Sequence, residues 1–127
     1  MVTKEQSLSK IRQIARLKDN WNGYRAKGGR SYPISRANSI VEILSMFEEE
    51  YGDDMYPEVY PTARESIQFE WEVGLNHFEF EIRHDTVSVL CVMNREYHNA
   101  FSQEYDYDKL SEPLRSLEKY LADTRNV

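Results

Sequence analysis

Ser66-Ile67-Gln68-Phe69-Glu70-Trp71-Glu72-Val73-Gly74-Leu75-Asn76-His77-Phe78-Glu79-Phe80-Glu81-Ile82-Arg83 is the stretch from which the fold can be worked out. Ile67, Phe69, Trp71 and Val73 alternate with Gln68, Glu70 and Glu72. Beyond Gly74, Phe78, Phe80 and Ile82 alternate with His77, Glu79, Glu81 and Arg83. Successive side chains of a strand point to opposite faces, so this period of two describes two half-buried strands. Joined at Gly74, they predict a β-hairpin with one apolar and one acidic face.

The loop decides the register. If Gly74-Leu75 is the two-residue turn, glycine occupies the first central position of a type II′ turn, which requires positive φ. Trp71 then faces Phe78, Phe69 faces Phe80 and Ile67 faces Ile82, while Glu70 faces Glu79, Gln68 faces Glu81 and Glu72 faces His77. A Leu75-Asn76 loop would instead pair Glu72 with Glu79 and Glu70 with Glu81. The first register is preferred, because glycine suits the turn and Glu72 gains a histidine partner. Both registers gather Glu70, Glu72, Glu79 and Glu81 on one side, where like charges opposite each other are unfavourable.

Outward from the hairpin, a turn at His84-Asp85 predicts a third strand over Thr86–Met93. Val87, Val89 and Cys91 continue its apolar face; Leu90 and Val92 fall on the other, as a covered patch or a contact surface. Upstream, Glu58–Thr62 reads as a short edge strand limited by Pro57 and Pro61. Thr3 and Gln6 form a capping box ahead of the stripe Leu8, Ile11, Ile14, Ala15 and Leu17, predicting a helix to about Lys18. Ser35 is the expected N-cap of a second helix carrying Ile40, Val41, Ile43, Leu44, Phe47 and Tyr51 and stopped by Gly52. That helix would hold Glu48-Glu49-Glu50 at the end its dipole disfavours. Residues 94–107 show no assignable pattern. A last helix begins near Asp108 or Ser111, with Leu110, Leu114, Leu117 and Leu121 as its stripe and Pro113 in its first turn. The expected fold class is α+β. An antiparallel β-meander of three to four strands carries two N-terminal helices and one C-terminal helix, all within a single domain over residues 1–127.

The 127 residues suffice for one modest core. No apolar run has the length of a membrane span, the N-terminus lacks an apolar signal-peptide core, and a single cysteine excludes an internal disulfide framework, so a cytoplasmic location is expected. The net charge of −6 is unevenly spread: residues 1–40 hold nine basic and two acidic side chains, or +7, leaving −13 for residues 41–127. Such a split describes either an electrically bipolar molecule or a basic segment paired against acidic surface.

Three readings of the acidic strands stand beside that of an ordinary solvated sheet face. Clustered carboxylates suit a divalent metal, neighbouring acids can raise one another's pKa for acid–base work, and a negative face can meet a basic protein. The second distinctive string is Asp19-Asn20-Trp21-Asn22-Gly23-Tyr24. Trp21 and Tyr24 either plug the edge of the core or, with Arg25, Lys27 and Arg30, offer a stacking and phosphate-contacting surface. Overall acidity argues against nucleic acid, which remains open only through residues 1–40. Cys91 reads as a core cysteine, His84 as a turn residue, and neither His84 nor His98 has metal-ligand spacing. Phosphate-binding glycine loops, nucleophile elbows, HExxH and paired CxxC motifs are absent.

Two strings together carry a resemblance: Asp19-Asn20-Trp21-Asn22-Gly23-Tyr24 followed by Pro33-Ile34-Ser35, and Tyr60-Pro61-Thr62 through Ile67-Gln68-Phe69-Glu70-Trp71, continued by Phe78-Glu79-Phe80-Glu81-Ile82. Over residues 8 to 90 the chain resembles a family of small uncharacterised bacterial proteins with an NW(N/D)GY loop and a PT…IxxEW strand. Where that family has glycine before the strand, this chain has Glu65-Ser66, and where it often reads GYGA, this chain has Tyr24-Arg25-Ala26. The resemblance implies a bacterial or mobile-element setting and directs attention to Trp21, Tyr24, Glu70 and Trp71.

The expected function is that of a non-catalytic protein-binding module in a toxin–antitoxin or phage-defence-like context. Glu70, Glu72, Glu79, Glu81 and His77, with Leu90 and Val92 beside them, would meet a partner with a basic surface. No cofactor, metal or catalytic residue is expected. The alternative is a metal-dependent enzyme acting on nucleic acid through the same carboxylates.

Overall fold

The computed structural model describes residues 2–125. Its centre is an antiparallel sheet of five strands in sequential order: β1 (Glu58–Pro61), β2 (Ile67–Val73), β3 (Asn76–Ile82), β4 (Thr86–Val92) and β5 (Phe101–Asp106). The β2–β3 register is that of the Gly74-Leu75 turn, with Trp71 opposite Phe78, Glu70 opposite Glu79 and Glu72 opposite His77. Gly74 has φ +60° while Leu75 stays at negative φ, as a type II′ turn requires.

The apolar side of the sheet is covered by helices α1 (Lys4–Ala15), α2 (Ile34–Leu44) and α4 (Ser111–Arg125). Ile11, Ile14, Ile40, Val41, Leu44, Leu117 and Leu121 pack there against Ile67, Phe69, Trp71, Phe78, Phe80, Ile82, Val87 and Val89. The rings interlock edge to face, with Trp71 5.1 Å from Phe80 and 5.7 Å from Phe78 between centroids, a geometry that aromatic quadrupoles favour. Tyr120 closes this end of the core: its hydroxyl lies 3.2 Å from the Trp71 carbonyl and 3.1 Å from that of Asn76. The α+β class and the C-terminal helix are as the periodicity predicts.

Four particulars differ from expectation. A fifth strand, β5, occupies part of residues 94–107. It is an edge strand whose residues are nearly all exposed, so burial imposes no apolar alternation on it. The Thr3–Gln6 capping box is present, but α1 stops at Ala15 rather than Lys18. Ser35 lies inside α2, whose N-cap is Pro33, without a side-chain cap. The second helix does not reach Tyr51 as one piece. It breaks at a 3₁₀ turn over Ser45–Phe47, and Glu48–Tyr51 form a separate turn, α3, which Gly52 ends at φ +60°. The break puts Glu48, Glu49 and Glu50 in a first turn, where acids suit the dipole, instead of a last one.

Candidate functional site

The side of the sheet away from the helices is the acidic one, and pairing across five strands sorts its residues into rows. Glu58, Glu70, Glu79, Leu90 and Ser102 form one row; Tyr60, Gln68, Glu81, Ser88 and Glu104 form the next. A third, shorter row holds Glu72, His77 and Val92. These rows contain no lysine or arginine. Three glutamates thus stand side by side on adjacent strands, at the spacing where like charges repel.

Neighbours relieve part of that repulsion. The Gln68 amide donates to Glu70 Oε1 at 2.6 Å and to Glu79 Oε2 at 2.9 Å. His77 lies between two acids, Nδ1 3.1 Å from Glu72 Oε1 and Nε2 2.9 Å from Glu79 Oε2. Both ring nitrogens can donate only when the imidazole is protonated. Burial works against that charge, but the hydrogen bonds to Glu79 and Glu72 and the charges of Glu79 and Glu70 outweigh it and raise the His77 pKa. Glu81 is half-buried and held by several donors: Ser66 Oγ donates to it at 2.6 Å and Arg64 Nη2 at 3.1 Å, with Arg83 alongside. Burial pushes this carboxyl up, and the bonds from Ser66 and Arg64 with the charges of Arg64 and Arg83 bring it below the ordinary value.

Of the predicted surface residues, Glu72 is exposed, Glu70, Glu79, Glu81 and His77 are half-buried, and Leu90 is half-buried in the first row. Val92 is only 2% exposed, so it contributes to packing rather than to an accessible contact. Glu58 and Glu104 belong to the face and were not expected there. The alternation Glu58-Val59-Tyr60 carried the signal for the first; the second was hidden with β5. A cleft of ≈ 380 Å³ is lined by Asp53, Asp54, Glu58, Glu70 and Glu72 with Tyr56, Tyr60 and Trp71, and among the described residues by no basic side chain.

Glu70, His77 and Glu79 bring one possible ligand atom each within 4.8 Å of one another. One imidazole and two carboxylates are a donor set for a divalent ion. In this arrangement each of the three is already hydrogen-bonded, to Gln68 or to one another, so an ion would have to displace those bonds.

The loop between α1 and α2 is a separate structure. Gly29 N–H donates to Leu17 O at 2.8 Å and Asn20 N–H to Ala26 O at 2.6 Å, so the chain closes on itself. Polar side chains brace it from within: Asp19 accepts from Gly28 N–H, Asn20 from Arg25 N–H, and Asn22 from Tyr24 and Ala26 N–H. Trp21 is half-buried against the core, and its Nε1 donates to the Tyr32 hydroxyl, which donates to the Thr62 carbonyl at 2.6 Å. Trp21 therefore plugs the core edge, whereas Tyr24 is 87% exposed and Arg25, Lys27 and Arg30, which follow it in the chain, are exposed. Cys91 faces Phe78 on the apolar side, and its thiol is pushed up by burial first and by Asp123 second, against Lys119.

No family model, curated protein or solved structure matches the chain. Among the described residues no helix is long and apolar enough to cross a membrane.

Proposed function

We propose that the chain is a non-catalytic protein-binding module whose acidic sheet face receives a partner with a basic surface. One observation carries this reading: Glu58, Glu70 and Glu79 stand in a row on three adjacent strands of the uncovered face, with Glu81 and Glu104 in the next row and no lysine or arginine in either. A basic partner would replace repulsion between neighbours by attraction, and complementary charge would speed encounter and make association salt-sensitive. Glu58, Glu70 and Glu72 are the contact residues, because Glu81 is engaged with Arg64, Arg83 and Ser66. The resemblance to small bacterial proteins supports a bacterial or mobile-element setting, of the toxin–antitoxin or phage-defence kind.

The test is a nuclease-treated affinity capture from bacterial lysate at low and high salt, with the wild-type chain and a Glu58→Gln, Glu70→Gln, Glu72→Gln variant. The expected result is a lysine- and arginine-rich protein retained at low salt by the wild type and lost by the variant. Equal retention by both chains would remove the acidic face from the interaction.

The grouping of Glu70, His77 and Glu79 favours a second reading, a metal-dependent enzyme acting on nucleic acid. That reading requires the melting temperature to rise with Mg²⁺ or Mn²⁺ in the wild type and not in a His77→Gln, Glu79→Gln variant. A melting temperature indifferent to both ions counts against it.

A further inference from the structure

The basic N-terminal segment divides into cations that have partners and cations that do not. Lys4 pairs with Glu42 and Arg12 with Glu5, while Arg36 donates to the His84 carbonyl and stacks on the Tyr107 ring. Arg16, Lys18, Arg25, Lys27 and Arg30 are all exposed, and none of their side chains makes a hydrogen bond, ion pair or ring contact among the described residues. All five lie in or beside the closed loop, and the bond from Gly29 N–H to Leu17 O holds its two ends together. Two acids are near. Asp19 has an oxygen occupied by Gly28 N–H, and burial together with the negative charge of Glu65 raises the Tyr32 pKa. The local balance stays positive on a chain whose net charge is −6.

The tip of the loop presents an aromatic ring. Tyr24 is 87% exposed and follows Gly23, beside which even an added Cβ would touch nothing within 4 Å. Asn20, Gly23 and Arg25 all hold positive φ, at 64°, 76° and 67°. Side-chain oxygens of Asn20 and Asn22 bond the N–H groups of Tyr24, Arg25 and Ala26, which fixes this conformation. The ring is thus displayed on a braced backbone with cations on either side of it in sequence. Arg30 also lines an adjoining cleft of ≈ 530 Å³ with Ser35, Ser39 and His84, and among the described residues no carboxylate lines that cleft. Arg36 reaches it too, but it also shares a second cleft with Asp85, Asp106 and Asp108, whose charges oppose its own.

We propose that this loop binds single-stranded nucleic acid, Tyr24 stacking on a base while Arg25, Lys27, Arg30 and the flanking Arg16 and Lys18 contact successive phosphates. A backbone charge track beside a free aromatic face is the chemistry that single strands use, and it tolerates any base because every base has a π-face. A lipid surface would require further apolar anchors, whereas the neighbours of Tyr24 along the loop are Asn22, Gly23 and Arg25. An acidic protein would use the cations and leave the ring idle. The site is remote in sequence from the acidic face and does not depend on it.

The experiment is fluorescence anisotropy with labelled RNA and DNA single strands of about 20 nucleotides, titrated with the full chain. With about five phosphates neutralised, affinity should fall roughly 100-fold between about 50 and about 200 mM salt. Removing three charges by Arg25→Ala, Lys27→Ala and Arg30→Ala should weaken binding by about tenfold or more at low salt. Tyr24→Ala should weaken it roughly tenfold. Glu58→Gln, Glu70→Gln and Glu72→Gln should leave it intact, so failure here and failure of the acidic-face reading are told apart. Melting curves check that the loop variants fold, and single Lys27→Glu serves if the triple variant does not. Absence of saturable binding by the wild type at low salt overturns the proposal. Equal affinity of the loop variants does the same, as does capture by anionic vesicles that the oligonucleotide fails to compete.

Discussion

The acidic sheet face and the basic loop pose the same problem, like charges held together, and meet it in opposite ways. On the sheet the backbone ladder dictates where Glu58, Glu70, Glu79 and Glu81 point, so their repulsion is eased sideways, by Gln68, His77, Ser66 and Arg64. In the loop the backbone itself is braced, through Asp19, Asn20, Asn22 and Gly29, and the cationic side chains are left free in solvent. Stability therefore resides in different places in the two regions. It lies in the scaffold of the loop and in the side-chain partners of the sheet, and mutation should separate the two.

The largest effect is expected at Gly29. A Cβ there would lie 2.3 Å from the Ala15 carbonyl oxygen and 2.4 Å from that of Ile14, both backbone atoms that cannot turn aside. Gly29→Ala should cost about 3 kcal/mol and lower the melting temperature by about 10 °C. A thermal melt close to that of the wild type would show that the loop scaffold does not carry stability. Tyr32→Phe comes next. It removes the acceptor of Trp21 Nε1 and the donor to the Thr62 carbonyl, and should cost about 1–2 kcal/mol by denaturant titration. An unchanged midpoint would mean that this hydroxyl does not tie the loop to the sheet.

The smallest effect, and one that depends on pH, belongs to the sheet. His77 has its pKa raised above 6.5 in the folded chain, by Glu79 and Glu72 working against burial. The sign follows from linkage: the folded state holds the proton more tightly, so the stabilisation is complete below the unfolded value and is lost as pH rises through the folded one. The difference in melting temperature between wild type and His77→Gln should therefore shrink from about pH 6 to about pH 8. A difference constant across that window would show that the imidazole does not titrate against its two glutamates.

Much of the sheet was legible in the chain. The alternation of Ile67, Phe69 and Trp71 with Gln68, Glu70 and Glu72 reports burial on one side only, and Gly74 set the register by supplying a positive φ. β5 was not legible because at an exposed edge no burial pressure writes a pattern, and Glu104 was lost with it. The break after Leu44 was equally hidden, since the apolar stripe continues through Phe47 to Tyr51 while the backbone does not.

The α+β class, the hairpin register, the acidic character of one sheet face and the basic character of the first forty residues could all be read along the chain, because periodicity and charge are local properties. Tertiary structure alone decided which charges are spent. Glu81 is enclosed by Arg64 and Ser66, Val92 is buried, Lys4 and Arg12 are paired, and Trp21 is tied to Tyr32 while Tyr24 stands clear. Apart from the Arg12–Glu5 pair, which lies within α1, each of these depends on partners or neighbours brought together by the packing of helices, loop and sheet, and the spacing of residues along the chain carries no record of those distances.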